Sequence, residues 1–128
     1  MYNPKNRIRK KLRGNVQIFL LGDAASHVKA TTLGGIIPGF KAAEIIAKKL
    51  QGKMASFFKL NLELKLHLKI INIINHLSEE EFNQLIDMIN NPKVKHILAK
   101  TNRDKPLLLV IKLLLTKPSL IKFVNKIF

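Results

Sequence analysis

Cysteine is absent from this chain. Its absence removes disulfides, thiolate catalysis and Cys-ligated zinc or iron–sulfur sites, and it fits a reducing compartment such as the cytoplasm. Tryptophan is absent too and tyrosine occurs once. The stacking platforms on which single strands of nucleic acid are held are therefore scarce, and the recognisable RNA- and DNA-binding motifs are missing. The histidines, His27, His67, His76 and His96, form no HxxxH or HExxH pair, so the sequence carries no metal-ligand pattern. His67 and His76 could share a rough helical face, and His27 reads as a histidine of a surface loop. No Ser/His/Asp set and no paired carboxylates can be assembled, so no catalytic side chain is assigned. No apolar run reaches the ~20 residues of a spanning helix; the longest candidate, Leu107 to Leu115, is broken by Lys112. The opening MYNPKNRIRKKLRGN lacks the apolar stretch of a signal peptide. The expectation is a cytoplasmic protein whose only membrane contact would be peripheral.

What the chain does contain is basic charge and apolar bulk. Against 8 acidic residues stand 23 basic ones, for a formal net charge of +15, and 47% of the 128 residues are hydrophobic. The apolar fraction supports a packed core rather than disorder. The charge favours anionic partners: nucleic acid, anionic lipid or phosphate-bearing ligands. Lysine supplies most of it, and isoleucine and asparagine are also abundant. That joint bias reads as compositional drift more than as a selected binding face. Lys5, Arg7, Arg9, Lys10, Lys11 and Arg13 form the densest basic run, which reads first as a solvated lead-in.

The informative stretch is QIFLLGDAASHVKATTLGGIIPGFKAAEIIAKKLQ, residues 17 to 51. Val16 to Leu21 is apolar at every position but Gln17 and predicts a buried strand. It stops at Gly22-Asp23. After a polar loop, Gly34-Gly35 opens a helix to Leu50, with Ile36, Ile37, Phe40, Ala43, Ile46, Ala47 and Leu50 at helical spacing. Pro38 falls in its first turn, where a missing N–H costs little, and Gly52 can end it. A strand-end carboxylate can accept hydrogen bonds from hydroxyls. Glycines admit a ligand close to the backbone, and a helix start offers unpaired N–H groups. Together these suit a polar, partly anionic ligand with sugar-like hydroxyls, such as a dinucleotide.

Gly22-Asp23-Ala24-Ala25, then Lys29-Ala30-Thr31-Thr32-Leu33-Gly34-Gly35-Ile36, then Ala42-Ala43-Glu44 resembles the second flavin-binding motif of the FAD-dependent oxidoreductases that include aromatic hydroxylases and geranylgeranyl reductases. The match is closest to the geranylgeranyl reductases, whose motif runs GDAA and then KATTGGG. Ser78-Glu79-Glu80-Glu81 and Asn102-Arg103-Asp104-Lys105-Pro106 are similar to that family's helical C-terminal part. The resemblance implies FAD as cofactor, held by Gly22, Asp23, Ala24, Thr32, Leu33, Gly34, Gly35 and Ile36. Asp23 would bond the ribityl hydroxyls, and the helix start would face the pyrimidine edge of the flavin. It further implies reduction of isoprenoid double bonds in lipid biosynthesis, with the hard chemistry supplied by the flavin and residues 54–128 helping to form an apolar substrate channel. Two departures stand out. Leu33 occupies the place of a family glycine. The GxGxxG turn that holds the ADP half of FAD occurs nowhere in the 128 residues.

The implied architecture is mainly α with a short strand segment: a C-terminal piece of a Rossmann-like α/β FAD-binding domain over residues 1–53, then a helical domain over 54–128. The implied partners are an N-terminal half carrying GxGxxG and an isoprenoid lipid substrate. Without that half the chain is expected to be inactive, and several of Phe19, Leu21, Ile36, Ile37 and Phe40 are expected to be exposed. The rival reading is a small basic helical protein that binds an anionic membrane surface or nucleic acid.

Within the second part, Leu60, Leu62, Leu64, Leu66 and Leu68 alternate as a strand would, yet the run is long, Leu- and Lys-rich and free of Gly and Pro, and it is assigned as helix. Ser78 and Glu81 form a capping box ahead of a buried stripe of Phe82, Leu85, Ile86 and Ile89. Asn90-Asn91-Pro92 stops that helix. Val94, Ile97 and Leu98 mark a short one. Asp104 can cap a helix over Lys105 to Thr116, and Lys117-Pro118-Ser119 starts a last one ending at Phe128.

Overall fold

The computed structural model describes residues 10–13, 16–102 and 104–124, and side-chain surroundings from residue 18 to residue 123. The basic residues Lys5, Arg7 and Arg9, as well as Arg103 and the end of the last expected helix, lie outside the described residues. The chain is mainly helical and divides into two compact units, residues 1–68 and 69–128.

In the first unit, β1 (Lys10–Arg13) and β2 (Val16–Phe19) pair antiparallel, Lys10 opposite Phe19 and Arg13 opposite Val16. The strand expected from Val16 to Leu21 thus ends two residues early, and it is not fully buried, because Ile18 is exposed while Phe19 and Leu21 are half-buried. Helix α1 (Ile36–Leu50) begins two residues after Gly34. It ends as expected at Gly52, which takes φ +72°. Gly52 N–H donates to Lys49 O and Lys53 N–H to Lys48 O, the paired bonds by which a left-handed glycine satisfies the last carbonyls of a helix.

Helix α2 (Phe58–Asn75) absorbs the alternating leucines. Leu60, Leu64 and His67 are buried, at helical spacing, while Leu62 is exposed. Strong helix formers without a Gly or Pro decide the conformation over a strand-like alternation. The core of this unit is Ala42 of α1 packed with Leu60 and Leu64 of α2, with Leu21, Ile45, Phe57 and Leu68 around them. Leu64 is almost wholly enclosed, and truncating such a leucine to alanine removes about 2–5 kcal/mol. The inward face of α1 is Pro38, Ala42 and Ile46. Of the residues at helical spacing Ile46 is buried, whereas Ile36 is 76% exposed and Phe40 73%, with Ile37 and Leu50 also exposed; for Ile36, Ile37 and Phe40 that is the expected outcome.

The second unit carries α3 (Glu79–Asn90), α4 (Pro92–Lys100), α5 (Pro106–Thr116), a short 3-10 turn (Pro118–Leu120) and α6 (Ile121–Val124). The capping box forms as read. Glu81 N–H donates to Ser78 Oγ at 3.3 Å, and Ser78 N–H to Glu81 Oε2 at 3.0 Å. The stripe behind it is not buried. Phe82 and Ile86 are exposed and Leu85 and Ile89 half-buried. Asn91 ends α3 and caps α4, accepting from Lys93 N–H at 3.0 Å. Lys105, not Asp104, holds the N-cap of α5, without a side-chain cap bond. Among the described residues of this unit, Val94, Pro106 and Phe123 are the buried apolar ones. Among the described residues no helix is long and apolar enough to cross a membrane.

Candidate functional site

The segment between β2 and α1 is a built loop. Gly22 enters a 3-10 turn, Gly22–Ala25, at φ +61°, and Ser26 leaves it at φ 58°. Ser26 N–H donates to Asp23 O and His27 N–H to Gly22 O, both at 2.9 Å. Residues 29–34 close a second, tighter loop. Lys29 N–H donates to Gly34 O at 3.1 Å and Leu33 N–H donates back to Lys29 O at 2.8 Å. Closing it requires Leu33 to sit at φ 52°, a left-handed conformation that costs a side-chain-bearing residue about 1–2 kcal/mol. This is the position where the flavoprotein motif carries a glycine.

Long-range contacts hold the loop down. Thr31 Oγ1 and His67 Nδ1, on α2, are 2.7 Å apart, and both His67 and Ala30 are buried. His27 is not on the surface as its loop position suggested, being only 3% exposed. Its ring stacks on Phe57 at 6.3 Å between centroids, and Lys49 Nζ lies 5.4 Å from the same Phe57 ring. Burial pushes the His27 imidazole below its ordinary value, because the charged form loses its hydration there. Among the described residues His27 Nδ1 has no hydrogen-bond partner. Sequence spacing could not find these anchors, since Phe57 and His67 come from much later in the chain.

Six of the eight residues assigned from sequence, Gly22, Asp23, Leu33, Gly34, Gly35 and Ile36, line one open cleft of about 660 Å³. Leu21, Gly39, Phe40 and Ala43 complete it, and these four were not assigned. Ala24 and Thr32 are exposed and lie outside the lining. The glycines set the geometry. A Cβ on Gly35 would collide with Asp23 Oδ1, and one on Gly39 would stand 3.4 Å from Gly22 Cα. The Asp23 carboxylate therefore lies directly over the N-cap of α1, at the positive end of the helix dipole. Gly35 offers no side-chain cap, which leaves first-turn N–H groups beside the cleft for another acceptor. The exposed Ile36 and Phe40 form its apolar rim.

Such a cleft can take a flat apolar ring against the rim, hydroxyls against an exposed carboxylate, and electron-rich atoms at a helix start. No group of three or more potential metal ligands exists among the described residues. No family model, curated protein or solved structure matches the chain.

Proposed function

We propose that this chain is the C-terminal part of an FAD-dependent oxidoreductase resembling the geranylgeranyl reductases. One observation carries the reading: Gly22, Asp23, Leu33, Gly34, Gly35 and Ile36, singled out by the motif, face one cleft at an uncapped helix start. The left-handed backbone at Leu33 adds support, since the motif's glycine is the residue that conformation favours.

The residues fit the isoalloxazine and ribityl end of FAD. No side chain protrudes from Gly22, Gly34, Gly35 or Gly39 into the cleft, and the Asp23 carboxylate is accessible. In this reading Asp23 binds ribityl hydroxyls, the start of α1 faces the pyrimidine edge, and Ile36 and Phe40 exclude water from the ring. FAD would supply the hydride chemistry for isoprenoid double bonds. The ADP half requires a GxGxxG turn, which the 128 residues lack, so a partner carrying that turn belongs to the proposal. The exposed Ile36, Ile37 and Phe40 are where its sheet would pack.

The test is flavin fluorescence quenching on this chain combined with a chain that carries a strand–GxGxxG–helix unit. The combination should bind FAD, and Asp23→Ala should weaken binding by about 1.5–3 kcal/mol, one charge-assisted hydrogen bond. Equal affinity for the variant and the parent removes Asp23 from the site.

A further inference from the structure

Helix α5, Pro106–Thr116, is apolar on nearly every side, with Lys112 the one charge within it. Helices of that kind are normally covered all round, yet one side of α5 is open. Leu107, Ile111 and Leu115 follow at four-residue spacing, Leu108 stands beside them, and all four are exposed, Leu115 at 78%. They form a stripe about 12 Å long. Exposed lysines border it: Lys112 within the helix and Lys105 at its N-cap. Residues 105–124 contain four lysines and no acidic residue.

We propose that α5 docks flat on an anionic lipid bilayer, with Leu107, Leu108, Ile111 and Leu115 among the upper acyl chains and Lys105 and Lys112 at the headgroups. Eleven residues of helix measure about 16 Å, half the ~30 Å of a hydrocarbon core, so the helix lies in the interface and does not span it. The composition of the stripe selects lipid over a protein partner. Protein hot spots are built on Trp, Tyr and Arg, and lysine is depleted from interface centres; the stripe has only Leu and Ile, edged by Lys. A second copy is disfavoured too, because a two-fold contact through this face would bring like-charged lysines together. The inference uses nothing from the flavin reading and concerns a different unit of the chain.

The test is co-sedimentation of the full chain with vesicles of equimolar phosphatidylcholine and phosphatidylglycerol, and with pure phosphatidylcholine. The chain should pellet with the anionic vesicles and much less with the neutral ones. Ile111→Ser with Leu115→Ser should bind at least about tenfold more weakly, because two apolar side chains no longer enter the acyl region. Lys112→Glu should weaken binding by about fivefold or more, the worth of one lysine near an anionic surface. All three substitutions are at exposed positions, and an unchanged thermal melt verifies the fold. Because the chain has no tryptophan, Leu115→Trp reports insertion directly. Its emission should shift to the blue on anionic vesicles, whereas Met54→Trp, in the other unit and fully exposed, should not respond. Vesicle binding undiminished by the double serine variant would overturn the proposal, and so would an unshifted Leu115→Trp or a parent chain that stays in solution.

Discussion

The Asp23 carboxylate stands against the bare Cα of Gly35, with Oδ1 of Asp23 so close that a Cβ on Gly35 would collide with it. Gly35 takes φ −100°, which any residue tolerates, so the glycine is there for room and not for backbone freedom. Gly35→Ala should therefore leave the fold nearly intact, costing at most about 1 kcal/mol in thermal unfolding, since the exposed Asp23 side chain can swing away. It should nevertheless impair FAD binding by the assembled complex as much as Asp23→Ala does, read by fluorescence quenching.

Leu33 tells the opposite story. Its side chain is 74% exposed and its φ is 52°, so it gains little packing and carries backbone strain. Leu33→Gly should stabilise the first unit by about 1 kcal/mol, visible as a higher melting temperature, and should leave FAD affinity equal or improved. Destabilisation would mean that the loop does not close as described.

Thr31 and His67 meet across 36 residues of sequence. Thr31→Val should cost about 1–3 kcal/mol, because a buried ring nitrogen loses its partner. A double-mutant cycle with His67→Phe should return a coupling of about 1 kcal/mol. Additivity of the two changes would show that the loop is not pinned through this pair.

His27 makes stability depend on pH. Its imidazole is held below the ordinary 6.5 by burial, so the unfolded chain binds a proton more readily than the folded one. Stability from this group is complete above 6.5 and is lost as pH falls from there toward the lower folded value. Melts taken over a falling pH series should show this loss, and His27→Phe, which keeps a ring on Phe57, should flatten it. An unchanged pH slope in His27→Phe assigns the dependence to other groups.

Much of this was legible because the signals are local. The Gly52 stop, the Ser78–Glu81 box and the Asn91-Pro92 junction each depend on residues within one turn of one another, and each appears as read. That the stretch from residue 22 to residue 36 gathers in one place was legible for the same reason. The motif is nearly contiguous, so its loop closes on itself and brings six assigned residues to one cleft. What sequence missed depends on distant partners. His27 looked like a surface histidine because Phe57, which covers it, lies 30 positions on. The exposure of Ile36, Ile37 and Phe40 follows the expectation for a helix whose sheet lies elsewhere, and Ile46 of the same stripe is buried; what spacing does not show is that Ala42, small enough to let Leu60 and Leu64 approach, is the residue at the centre of the core. The stripe Phe82, Leu85, Ile86 and Ile89 of α3 reads as buried, yet Phe82 and Ile86 are exposed and Leu85 and Ile89 only half-buried, because amphipathic spacing shows which face would be covered, not whether anything covers it.

The most direct measurement is amide chemical-shift mapping of the isolated chain on addition of excess FAD, which detects contact even where affinity is weak. The account predicts small, saturable shifts concentrated at Gly22, Asp23, Leu33, Gly34, Gly35 and Ile36, lost together in Asp23→Ala. Shifts absent from these amides, or spread over the lysine-rich surfaces and unaffected by Asp23→Ala, would contradict it.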